Sequence, residues 1–219
     1  AAENRKFDVI AAKLENGKNS HIALLNRQMW GDGTGGNDID GIQKVISITP
    51  TTGSVGGISR SGFSFWRNKQ TSGAKTATSF DNLNAALRSI HNQCSLGGAE
   101  FKPTGLIGDR ASFEGLESTM VTLERYTSED RKRGGDPAFM NDALKYKGLP
   151  AMYNEDAPAG EFRFINKKFL KVWYLAGGWM KMYPAVDPAN QLSNVHKLAT
   201  FLGMGTNASR HLGVVSAIT

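Results

Sequence analysis

The chain has 219 residues, enough for one large domain or two small interleaved ones, with ordinary apolar and charged shares of 40% and 21%. Lys and Arg outnumber Asp and Glu by 26 to 20, and this net charge of +6 is compatible with lining a polyanion without requiring one. One cysteine, Cys94, excludes an internal disulfide framework and a multi-cysteine zinc site; no apolar run approaches the roughly 20 residues of a membrane-spanning helix, and the opening AAENRKFDVI lacks the positive-then-apolar layout of a signal peptide.

Residues 7–29 place Phe7, Ile10, Leu14, His21, Ile22 and Leu25 at mainly helical spacing. The pattern predicts one long helix of about 33 Å at ~1.5 Å per residue, with Gly17 as its weak point. It stops at Gly31-Asp32-Gly33-Thr34-Gly35-Gly36. IQKVISI, 42–48, reads as a short strand or a helical turn. Residues 49–79 are rich in Gly, Ser and Thr around an aromatic island of Phe63, Phe65 and Trp66, and an irregular segment of this length is commonly a functional or interaction element.

A second helix is predicted from Ser79 to Leu96, with Phe80, Leu83, Leu87, Ile90 and Cys94 on one face and Gly97-Gly98 beyond its end. A strand over 103–108 follows, then a third helix capped by Asp109 or Ser112 with Phe113, Leu116, Met120 and Leu123 inward. Residues 125–142 form a charged loop. Tyr146 to Tyr153 reads as one strand in which Pro150 implies an edge position or a bulge, because proline cannot donate to a ladder. A polar turn (154–160) leads to a strand at 162–165. Further strands are expected at 169–175, 179–183, 195–202 and 210–218, the last two pairing as a long antiparallel hairpin. Helices and strands are segregated along the chain, which argues for an α+β fold.

Candidate chemistry is sparse. Gly31-x-Gly33-x-x-Gly36 matches the dinucleotide pattern in letters, but it follows a helix where the motif must open one, and Asp32 and Asp38 would repel phosphate. Asp38-Ile39-Asp40-Gly41 lacks the first ligand and the closing Glu of a calcium loop. Ser72-x-x-Lys75 has neither of its companion motifs. His21, His91, His196 and His211 are scattered, the first read as a helix-flank residue and the last two as strand residues. Cys94 sits on an apolar helix face, where it behaves as a small hydrophobe. The sequence is therefore read as having no catalytic, cofactor-binding or metal site.

Two stretches remain as candidate interaction residues. Exposed Phe63, Phe65 and Trp66 beside Arg67 would mark an interface, although two of the three rings fit a core equally well. Arg131-Lys132-Arg133, after Glu129-Asp130, reads as a solvated loop, an inter-subunit salt-bridge patch or a nucleic-acid contact.

Five stretches taken together resemble, in order, the signatures of tailed-bacteriophage major capsid proteins of the Hong Kong 97 type. They are GDGTGGNDIDGIQKVIS (31–47), VGGISRSGFSFWRN (55–68), GLIGDRASFEGLE (105–117), LKYKGLPAMYNED (144–156) and FRFINKKFLKVW (162–173). The resemblance implies a spine helix at 7–29, a peripheral P-domain from 1–43 and 178–219 that includes the long hairpin, and an axial A-domain at 44–177. It implies a shell-forming structural protein of the virion, assembled in the bacterial cytoplasm, with further copies of itself, portal, scaffold or auxiliary head proteins and non-specifically held double-stranded DNA as partners, and no membrane. An encapsulin-like shell of the same fold is the nearer rival, and an enzyme with an unrecognised site the more distant one. The family carries an N-terminal arm and an extended loop ahead of the spine helix, whereas this sequence begins almost at the helix. It is therefore read as a fragment or processed product, expected to be a monomer or small oligomer, and no cross-link that needs the loop is carried over.

Overall fold

The computed structural model describes residues 2–36, 38–71, 80–121, 145–186, 189 and 195–218. The chain forms two compact units, one from residues 1–41 and 172–204 and the other from 42–171 and 205–219.

The larger unit is built on a six-stranded mixed sheet. Its strands are β3 (Lys69–Thr71), β4 (Gly105–Gly108), β5 (Lys145–Tyr146), β6 (Leu149–Tyr153), β7 (Phe162–Ile165) and β12 (Gly213–Val215), in the order β3-β12-β7-β4-β6-β5. β7 runs antiparallel to both neighbours, while β12–β3 and β4–β6 are parallel pairs. All four residues of β7 and all three of β12 are buried, as strands covered on both faces must be.

Helix α3 (Phe80–Cys94) lays Leu83, Leu87, Ile90 and Cys94 on the sheet, where they join Leu106, Phe162, Phe164 and Val215 in one core. The backbone of β12 approaches α3 closely. A Cβ on Gly213 would stand 2.4 Å from Ile90 Cγ2 and 2.8 Å from Cys94 Sγ. Helix α4 (Arg110–Val121) adds Leu116, with Phe113 packed at the margin, and crosses from β4 to its parallel partner β6. Asp109 is its N-cap. Oδ2 accepts the Ser112 N–H at 3.3 Å, and Oδ1 accepts the N–H groups of Gly160 and Glu161, so one buried carboxylate joins the helix start to the turn before β7. Within β7, Arg163 is buried against the carboxylate of Glu161.

Three expectations are corrected in this unit. The predicted strand over 146–153 is two strands, because Lys147 and Gly148, at φ 49° and 79°, make the two-residue turn of a hairpin with Lys145 opposite Pro150. Pro150 thus lies one strand in from the edge, behind the short β5. The long C-terminal hairpin does not form. β12 goes inside the six-stranded sheet, between β3 and β7, because Val214 and Val215 are fully buried there, a setting a hairpin open to solvent could not provide. The segment 42–48 resolves as a helical turn, α2 (Ile42–Val45), and His211 lies in a buried 3-10 turn instead of a strand.

The smaller unit holds α1 (Ala2–Trp30), about 44 Å long at ~1.5 Å per residue, with strands β9 (Lys181–Met182) and β10 (Leu198–Ala199) paired antiparallel. β8 (Leu170–Tyr174) pairs with β11 (Leu202–Thr206). Of the apolar face expected on α1, Leu25 is buried, as is Trp30 at the helix end, whereas Ile22 is about half exposed. A polar pin supplies part of the hold: His21 Nε2 meets Thr200 Oγ1 at 2.8 Å, and that hydroxyl also accepts the Met180 N–H. The glycine run ends α1 as predicted, with Gly41 backed against the carbonyls of Gln28, Met29 and Gly31, where a Cβ would collide. Asp32 and Asp38 fold the turn on itself, accepting from the Thr34 and Gly35 N–H groups.

Candidate subunit-interaction site

The aromatic island lies on a closely stapled loop. Hairpin β1 (Ser54–Val55) and β2 (Ile58–Ser59) turns through Gly56 and Gly57, both at positive φ. At the base of the loop Asn68 clips Ser47 in both directions, accepting its N–H at 3.1 Å and donating to its carbonyl at 2.8 Å. Arg60 is buried at 2% exposure and donates from Nη2 to the Val45 carbonyl; desolvation pushes its pKa below the ordinary arginine value.

These staples sort the four candidate residues into two kinds. The Trp66 indole N–H donates to the Val55 carbonyl at 3.0 Å, which fastens the hairpin to the following 3-10 turn. Arg67 donates from Nε to the Arg60 carbonyl at 2.6 Å and from Nη2 to the Ser61 carbonyl at 2.8 Å, so two of its five N–H donors are held within the loop. Phe63 and Phe65 instead stand out at 51% and 58% exposure, their rings 5.6 Å apart and tilted. The loop thus carries two rigid apolar anchors on a scaffold held by Trp66, Arg67, Arg60 and Asn68. Arg131, Lys132 and Arg133 lie outside the described residues, as do Ser72 and Lys75.

The smaller unit carries a second exposed apolar surface that the periodicity did not reveal. Along β8 and the turn after it, Val172, Trp173, Tyr174 and Leu175 are exposed on both faces of the strand. Tyr174 meets Trp179 edge-on at 6.3 Å, and Leu175 and Phe201 flank Gly178. A run such as Val-Trp-Tyr-Leu reads in sequence as a core strand. The cue that could have found it is the pair Gly177-Gly178 before Trp179, which turns the chain back after only five strand residues.

Nothing described gathers into a reactive centre. Among the described residues no three or more of His, Cys, Asp and Glu come together as metal ligands. Cys94 is fully buried, and desolvation pushes its thiol up to about 12. His211 is enclosed, with Nδ1 3.0 Å from the Cys94 carbonyl and Nε2 accepting from Arg210 Nε, and its ring stacks against those of Phe101 and Phe169, which also stack on each other. No described helix is long and apolar enough to cross a membrane.

No family model matches the chain, and no curated protein matches it in sequence. Among solved structures it is similar to the capsid subunit of cyanophage A-1(L), at 16% identity and a TM-score of 0.66 over 96% of this chain and 69% of that one. It is also similar to the capsids of the native and empty GTA particles, each at 15% identity and a TM-score of 0.56 over 96% of this chain, covering 66% and 67% of theirs. The chain spans about two thirds of the length of these subunits. Over nearly its whole length it has the α+β Hong Kong 97-type fold of phage capsid proteins, as the sequence resemblance implied.

Proposed function

We propose that the chain is the shell-forming subunit of a tailed-phage or prophage head, a structural protein that works by repeated self-association and makes no covalent bond. The observation that carries this reading is the fold shared with the cyanophage capsid subunit across 96% of the chain. The reading takes α1 as the spine helix of a P-domain and the six-stranded unit as the A-domain; residues 205–219, expected in the P-domain, go with the six-stranded unit, and 172–177, expected in the A-domain, with the smaller one. Phe63 and Phe65 are its first candidate contact, since paired exposed rings on a rigid loop have the chemistry of interface anchors. Double-stranded DNA, held through its phosphates without sequence readout, and portal or scaffold proteins are the further partners the reading implies.

The test is expression in bacteria followed by electron microscopy of the soluble fraction. Association that grows with concentration, from small oligomers towards rings, is expected. Closed particles holding protein cargo and no nucleic acid would favour the encapsulin-like alternative, and a chain that stays monomeric at every attainable concentration would sink the shell reading.

A further inference from the structure

Within the smaller unit, α1 and the β9–β10 ladder enclose a groove of about 460 Å3. Its apolar lining is Leu14, Met182 and Leu198, its floor opens over Gly17, and its rim carries Lys13, Lys18 and Lys197. Two features are unexplained by the chain's own packing. A glycine inside a 29-residue helix weakens it through backbone entropy, yet a Cβ at Gly17 would meet nothing within 4 Å, so no contact in the unit requires the missing side chain. None of the three rim lysines is in an ion pair among the described residues, and Glu15 is the acid on the adjoining flank of the helix. A groove with an apolar floor, bare helix backbone and a cationic rim suits an occupant that is apolar at its tip, acidic around it, and pressed close to the helix.

The six-stranded unit presents such a surface. Phe113 of α4 and the half-exposed Tyr153 at the end of β6 pack ring to ring at 5.6 Å. Glu114 and Glu117 follow Phe113 along α4 and Glu155 follows Tyr153, with Arg110, paired to Glu114 at 2.8 Å and interacting with Glu155, as the cation beside them. Resting on the self-assembly reading above, we infer that the Gly17 groove of one copy receives the Phe113–Tyr153 edge of a second copy. The contact is heterologous: it joins two different surfaces, so it propagates around a ring instead of closing a two-fold dimer. Glycine at position 17 then lets the neighbour's ring approach the helix backbone, and the lysine rim neutralises its carboxylates.

Single-cysteine probes test the contact directly, because Cys94 is buried and does not compete. Lys18→Cys and Glu155→Cys chains, mixed in equal amounts under mild oxidant, are expected to form a mixed disulfide dimer that neither variant forms alone, and both keep Gly17. Neither change disturbs the fold, since Lys18 and Glu155 are exposed. Gly17→Ala is expected to lower self-association in sedimentation at least several-fold. Lys18→Glu is expected to do the same, and combining it with Glu155→Lys to restore most of the loss. Self-association with no mixed disulfide, or unchanged by Gly17→Ala and Lys18→Glu, overturns this contact and leaves the shell reading standing. Disulfide dimers from either variant alone would replace it with a two-fold contact. No self-association at any attainable concentration overturns both.

Discussion

Asp109 joins elements far apart in sequence through three backbone donors on one buried carboxylate, and a group so placed is costly to remove. Asp109→Ala is expected to lower unfolding stability by about 1–3 kcal/mol in urea titration, and Asp109→Asn, which keeps one acceptor, by less. Cys94 illustrates burial acting on ionisation. Its thiol is raised to about 12 in the folded chain, so the native state favours the neutral form. That stabilisation is complete below the free-thiol value of roughly 8.5 and is lost as pH rises towards 12, at no more than about 1.4 kcal/mol per pH unit. Thiol labelling of the native protein is expected to be slow and to accelerate on denaturation. The stability of Cys94→Ala is expected to fall less steeply between pH 9 and 11 than that of the parent.

At the scale of elements, the aromatic loop and the α3–β12 contact show two ways in which short segments are held. The loop depends on side chains reaching backbone, so its anchors and its staples separate under mutation. Phe63→Ser with Phe65→Ser is expected to leave thermal stability within roughly 0.5 kcal/mol, as exposed positions do, while weakening self-association in sedimentation. Trp66→Ala, which removes a half-buried ring and the hydrogen bond to Val55, is expected to destabilise the monomer itself. The α3–β12 contact depends instead on an absent side chain. Gly213→Ala places a methyl against Ile90 and Cys94 and is expected to cost about 1–3 kcal/mol. Because Ile90 Cγ2 is the atom it meets first, Gly213→Ala combined with Ile90→Ala should cost less than the two single changes added together.

For the molecule as a whole, the exposed surfaces matter more than any one contact. On the aromatic loop and along β8 and its turn, the rings of Phe63, Phe65, Trp173, Tyr174 and Trp179 each stand more than half exposed. With aromatic side chains of roughly 150–250 Å2 each, they alone expose on the order of 500 Å2, within the range of the largest patch on a typical monomer, here divided between two surfaces. Association that uses these rings with the lysine-rimmed groove combines apolar burial with charge pairing. It is expected to weaken, though not vanish, as salt rises from 0.05 to 0.5 M, read by sedimentation. Gly17→Ala separates stability from assembly. It is expected to raise unfolding stability by about 1 kcal/mol, since the helix gains and nothing is struck, while assembly declines.

Periodicity alone determined α3, α4 and the strand at 162–165, because each buries one continuous set of apolar side chains at a fixed local spacing, and those residues are adjacent in the chain. The end of α1 at its glycine run was legible for the same reason, and so was Cys94 as a core residue. Tertiary structure decided everything that rests on distant partners. Val214 and Val215 read equally well as half of a hairpin or as an interior strand, and only β3 and β7, some 50 or more residues away, provide the ladder partners on both edges that choose. Trp66 and Arg67 were grouped with Phe63 and Phe65 by composition, yet they are separated from them by hydrogen bonds to Val55, Arg60 and Ser61. The Trp173–Tyr174 run carries the hydrophobicity of a core strand and lies exposed, because burial depends on what packs against a strand, and that is not encoded in the strand's own period.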